Sequence, residues 1–205
     1  MDDYFLNIVE QLRKHKNTDF KVKQIMHDDN YYYKFYAGDA HANFINDKVD
    51  QVPTLVKKIN NATDGLIVDY NVYQDIGALY FKCKKINFKY KGIPTKELIE
   101  QFDSIDDYLI FCIDNIINFS RQVWPSWATD YAGNNIQVSE DLKWIVADFD
   151  ELFELRYSIN KIDYIEHIAN RLSRNTYDLI KPDYARIFVK DYLQQNINKL
   201  DFIPG

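Results

Sequence analysis

Five carboxylates crowd into residues 140 to 151: Glu140, Asp141, Asp148, Asp150 and Glu151. Asp148-Phe149-Asp150-Glu151 has the composition of the short acidic pairs that hold a divalent ion and a phosphate in nucleotide-using enzymes. Such pairs work from loops or strand ends, where two carboxylates converge on one ion. Here the spacing of Leu142, Ile145, Val146, Phe149, Leu152 and Phe153 predicts a helix, opened by Ser139 and favoured by Glu140 and Asp141 in its first turn. Residues two apart on a helix point about 200° away from each other, so the pairs cannot share an ion. Asp141, Asp148 and Glu151 instead fall along one side. The chemistry left to them is electrostatic: an acidic helical face over 140–156 that meets a protein with a basic surface.

A loop lies next to that helix in the chain. Trp124, Trp127, Tyr131 and the Asn134-Asn135 pair make it aromatic and polar, it runs to Val138, and tryptophan is a favoured anchor at interfaces. Trp124, Trp127, Tyr131, Asp141, Asp148 and Glu151 are therefore the expected partner-binding residues. The class of function this implies is a small acidic binding protein of the inhibitor, immunity or mobile-element type, an analogy of class and not of fold.

Two other chemistries compete. Asp39, His41, Asp69 and Asp75 could carry a metal-dependent hydrolase or nuclease. The acid that a nuclease core needs two residues before its lysine is Tyr80 or Lys82, however, so that pattern is not completed. Lys82, Lys84, Lys85, Lys89 and Lys91, interleaved with Phe81, Phe88 and Tyr90, could serve a nucleic-acid-binding module: cations for phosphates, rings for bases. A pI near 5.2 opposes strong nonspecific nucleic-acid binding. Lysines on an exposed strand also keep sheets from associating. No Gly-x-Ser-x-Gly, phosphate-cradling glycine loop or His-Glu-x-x-His is present, so no nucleophile, cofactor or zinc site is expected.

The charge is laid down unevenly. Lys and Arg number 15 against 14 Asp and Glu in residues 1 to 102, 2 against 11 in 103 to 154, and 8 against 6 in 155 to 205, for a net −6. With 46% hydrophobic residues the chain can bury a substantial core. Its longest apolar run, Tyr108 to Ile113, is far shorter than the ~20 residues that span a bilayer, and the acidic amphipathic start lacks the form of a secretory signal. The expectation is a soluble protein, cytoplasmic if bacterial, without a membrane role. The Ile-, Asn-, Lys- and Tyr-rich usage fits an AT-rich coding sequence, as in many bacterial and phage genomes. Cys83 and Cys112 fall in segments that read as core, which favours buried thiols over a disulfide.

The elements that must position these residues follow from periodicity. Phe5, Ile8, Val9 and Leu12 predict an amphipathic first helix. Phe20 to Gln24 and Tyr31 to Tyr36 predict a hairpin across Asp28-Asp29-Asn30, and Ala42 to Val49 a short third strand. Pro53 opens a helix, and Leu66 to Tyr73 is a strand. Leu79, Phe81 and Cys83 share one parity while Ile86, Phe88 and Tyr90 share the other, which demands a bulge or a break into two strands at Lys84-Lys85. Ser104 with Asp107 predicts the cap of a long helix to Val123. Helices are expected again from Ile162 to Leu172 and from Asp183 to about Asn198, the last with Ile187, Phe188, Leu193 and Ile197 inward. The fold class is thus α+β: a small antiparallel sheet with flanking helices in residues 1–92, and an all-helical domain in 93–205 packed against it as one compact unit.

Overall fold

A computed structural model describes residues 2–14, 22–86, 88–93, 95–126, 133–154, 159–174 and 179–204. The fold is α+β. The chain forms two units: Met1–Ile86 with Leu152–Arg156, and Asn87–Glu151 with Tyr157–Gly205. Unit 1 carries 13 Lys and Arg against 13 Asp and Glu, and unit 2 carries 12 against 18, so the whole net charge of −6 belongs to unit 2.

In unit 1, α1 (Asp2–Lys14) precedes the hairpin β1 (Val22–His27) and β2 (Tyr31–Ala37), followed by α2 (Asp39–Lys48), α3 (Val52–Ala62), β3 (Ile67–Tyr73) and β4 (Ala78–Lys84). The four strands form an antiparallel sheet in the order β1-β2-β4-β3. Helix α1 lays Phe5 and Val9 on one face, against Val22, Tyr33, Phe35, Ala37, Ala78 and Tyr80. On the other face the Phe81 ring meets that of Phe153 at 5.0 Å, and Phe153 meets Phe44 of α2 at 5.9 Å. Both faces are covered, which is why Ala78, Leu79, Tyr80 and Phe81 are all buried where a half-exposed strand would alternate. Burying a side chain of the size of Leu79 or Phe81 contributes about 1.5–3 kcal/mol.

The segment Ala42 to Val49 is not a strand. His41, Phe44 and Ile45 are buried at helical spacing, and the Ala42 amide donates to the Gly38 carbonyl at 2.8 Å. Its Phe, Ile and Val content carries strand propensity, but tertiary burial of one helical stripe decides the outcome. Asn60 of α3 brackets Ile67 of β3, accepting from its amide at 2.7 Å and donating to its carbonyl at 2.8 Å.

Unit 2 contains β5 (Tyr90–Ile93), α4 (Lys96–Ile99), α5 (Ile105–Val123), β6 (Gly133–Val138), β7 (Trp144–Val146), α6 (Lys161–Arg174) and α7 (Pro182–Gln195). The break expected at Lys84-Lys85 is present: β4 ends at Lys84, and the next strand belongs to another sheet in another unit. That second sheet, antiparallel β5-β6-β7, corrects the expectation of an all-helical second half. Ile136 and Val138 alternate inward with period 2 in a stretch that reads as loop because Gly133-Asn134-Asn135 precedes it.

The largest correction falls on residues 139–154, which do not form the expected helix. Ser139 Oγ does accept a backbone amide, but from Lys143 at 2.9 Å, closing a hairpin turn between β6 and β7. Leu142 adopts φ 60° inside that turn, a left-handed conformation that ends any helical run. Trp144, Ile145 and Val146 are all buried, and Asp150–Phe153 is a short 3₁₀ turn. Burial on both faces of a three-residue strand, followed by a tight turn, places apolar residues at the same spacings as a helix does.

Candidate interaction surface

The side chains expected to act together do not share a helical face. Asp141 sits exposed at the tip of the β6–β7 hairpin, and the Ser139 hydroxyl that donates to it lowers its pKa. Asp148 follows β7, and Glu151 lies in the 3₁₀ turn; both are half-buried. Trp124, directly after α5, meets the Phe202 ring edge-on at 5.4 Å, and Phe202 in turn meets Tyr164 at 5.9 Å. Its ring therefore covers the helical core. Trp127 and Tyr131 lie outside the described residues.

The residues of the hydrolase alternative are dispersed as well. His41 is buried in α2 with its ring stacked on Tyr36 at 5.7 Å. Asp75 is held by Arg13, whose Nη2 donates at 3.1 Å, and the guanidinium lowers the pKa of the carboxyl. Asp69 stands opposite Lys82 in the β3–β4 ladder. Among the described residues no three His, Cys, Asp or Glu side chains gather as a metal site would require.

The lysine stretch is divided between the units. Lys82 Nζ lies 4.2 Å from the Tyr31 ring centroid, and Lys85 Nζ lies 5.4 Å from that of Tyr32. Lys89, in unit 2, donates to Glu140 at 3.3 Å. Lys82, Lys84 and Lys85 thus belong to unit 1, and Lys89 and Lys91 to unit 2.

A different surface emerges from α5 and α7. The Tyr184 hydroxyl donates to Asp106, and the Tyr192 hydroxyl donates to Asp114 at 3.3 Å; both partners are 78 residues apart in the chain. A constant offset means that the two helices run parallel, with their N-termini at the same end. Tyr184, Phe188 and Tyr192 stack along α7 at 6.2 and 6.3 Å, lining that seam. At the shared N-terminal end, Ile105 is 39% exposed, Tyr184 44% and Ile187 61%. Asp103, Asp106, Asp107 and Asp183 belong to the same two helix starts, with Lys181 the only cation of residues 103–107 and 181–187 besides Arg186. Arg186 is turned to Glu166 of α6, at 3.6 Å.

Acids at helix starts first of all answer the helix dipole. Two N-termini supply about +0.5 charge each, too little to neutralise four carboxylates. The end therefore keeps an excess of negative charge around three exposed apolar side chains. Sequence reading places Ile187 inward; the core stripe of α7 is Ala185, Val189 and Leu193 instead, and Ile187 and Ile197 are exposed. The signal for the surface was there: α7 has more apolar residues than one stripe can bury.

Among the described residues no helix is long and apolar enough to cross a membrane. Compared with protein-family models, with curated proteins and with solved structures, the chain matches none of them.

Proposed function

We propose that the protein is a protein-binding module, and that unit 2 receives a basic amphipathic segment of its partner at the shared N-terminal end of α5 and α7. The observation that supports this reading is the exposure of Ile105, Tyr184 and Ile187 within a border of carboxylates. Apolar groups would anchor the partner, and Asp103, Asp107 and Asp183 would select a cationic one and speed its approach. The reading keeps the acidic character expected from the sequence and moves it from residues 140–156 to the two helix starts.

The experiment is fluorescence anisotropy with a labelled amphipathic peptide, leucine on one face and lysine on the other, at low and at physiological salt. Binding that weakens with salt, and that falls at least tenfold in Ile187→Lys, is the expected result. Ile187 is exposed, so this variant should fold. Equal binding of a leucine/glutamate peptide, or unchanged binding by Ile187→Lys, would overturn the reading.

A further inference from the structure

Tyr184 joins two features that an arginine and a lysine would use differently. Its ring stands in the first turn of α7, well exposed, and lies within 24° of parallel to that of Phe188. Its hydroxyl donates to Asp106 Oδ1 in the first turn of α5. That hydrogen bond raises the Tyr184 pKa, so the phenol keeps its proton and the carboxylate stays fastened at the rim of the ring. Asp106 Oδ2 remains for a second donor.

The charges at this end leave it negative. Asp103, Asp107 and Asp183 are exposed at the same two helix starts, Asp107 accepting the Ser104 hydroxyl at 2.6 Å. Arg174 and Lys181 are exposed in the stretch of chain that leads into α7, and Arg186 is turned to Glu166. With Asp106, four carboxylates therefore stand against two cations. Among the described residues these carboxylates do not gather as a metal site requires, so the cation they suit is one carried on a side chain.

The exposed ring distinguishes the two side chains that could bring it. A guanidinium is planar and weakly hydrated, stacks on an aromatic face and forks to a carboxylate in a fixed geometry. An ammonium is compact and strongly hydrated, and it meets a carboxylate as a point charge. Ile105 and Ile187, both exposed at the same end, offer apolar surface to the methylene stem of either one.

We propose, on the reading of this end as a docking surface, that the partner's segment presents an arginine whose guanidinium stacks on the Tyr184 ring and donates to Asp106. The protein thereby selects arginine over lysine, and its partner belongs to the arginine-bearing class of basic amphipathic segments.

The test sets the full chain against three labelled peptides with one leucine face and a polar face of lysine, arginine or citrulline. Anisotropy at physiological salt should show arginine bound at least about threefold tighter than lysine, the scale of one stacked cation. Citrulline, which has the shape without the charge, should bind more weakly than both. In Tyr184→Leu the arginine advantage should fall below about twofold, as expected on loss of the ring, while the leucine/lysine peptide still binds. NMR of the wild-type complex should show arginine δ-methylene protons shifted upfield by the ring. Absence of that shift would overturn the proposal. So would equal affinity for arginine and lysine, citrulline binding as tight as arginine, or an arginine advantage that survives Tyr184→Leu. Each of those results leaves the docking surface standing as long as Ile187→Lys still weakens binding. Failure of all three peptides to bind would remove the docking surface and the arginine site together.

Discussion

Lys199 Nζ donates to Asp114 Oδ1 at 2.7 Å and to the Tyr192 hydroxyl at 2.6 Å, fastening the segment after α7 to the middle of α5. Burial lowers the Lys199 pKa, but the bonds to Asp114 and Tyr192 outweigh it and leave the pKa raised. A raised folded pKa contributes stability below the unfolded value of about 10.4 that is lost as pH rises through the folded one. A double-mutant cycle of Lys199→Met and Asp114→Asn, read by urea denaturation at pH 7, should give a coupling of about 0.5–1 kcal/mol, the scale of a partly exposed ion pair. The coupling should vanish above the folded pKa of Lys199.

Gly77 separates β3 from β4 with φ 59°, and a Cβ built there would stand 2.4 Å from Ala42 Cβ and 2.6 Å from Ala42 Cα. Left-handed strain and collision with α2 then act together. Gly77→Ala should cost about 2–4 kcal/mol in chemical denaturation. Gly65→Ala, at φ 72° and with Lys84 Nζ 3.6 Å away, meets the strain alone and should cost less.

Acid should destabilise the protein through its depressed carboxylates, among them Asp28, Asp75 and Glu166. The Tyr33 hydroxyl and the Asn30 amide hold Asp28 below its ordinary pKa, Arg13 does the same for Asp75, and Lys190 for Glu166. Depressed folded values give stability that is present above the unfolded pKa of about 4 and lost as pH falls through the folded ones. Urea midpoints should therefore decline between about pH 5 and pH 2. Asp28→Asn should be less stable at pH 7 and decline less steeply.

Neither cysteine is in a disulfide, and both are buried. Burial pushes the Cys112 thiol up to about 12. Thiolate is the reactive form, so Ellman's reagent at pH 8 should find no fast-reacting thiol in the native protein and two after unfolding. A fast native reaction would contradict the packing of β4 around Cys83 or of α5 around Cys112.

Much of this fold is readable from residue order where local chemistry and tertiary packing agree. Ser104 accepts from the Asp107 amide at 3.1 Å, and α5 starts where the capping pair says it should. The parity change after Cys83 marks a real strand end. Residues 139–153 fail because Ser139 is as suited to closing a turn as to capping a helix, and the left-handed Leu142 leaves no trace in its residue type. The proposed interaction surface is legible only in part, through the surplus of apolar residues on α7. It depends on α5 and α7 lying parallel, and the offset linking Asp106 to Tyr184 is a tertiary relationship with no local signature.

Phe153 packs on Phe44 and Phe81, so the core of unit 1 includes a side chain that follows the core's other residues by more than a sixty-residue excursion. During synthesis the ribosome releases residues 1 to 86 long before that ring. The first unit to be made is thus obliged to wait, with an aromatic vacancy on its sheet, until much of the second has been translated. Neither unit can be excised with a single cut, and a gene truncated after residue 86 would encode a sheet missing its last stone.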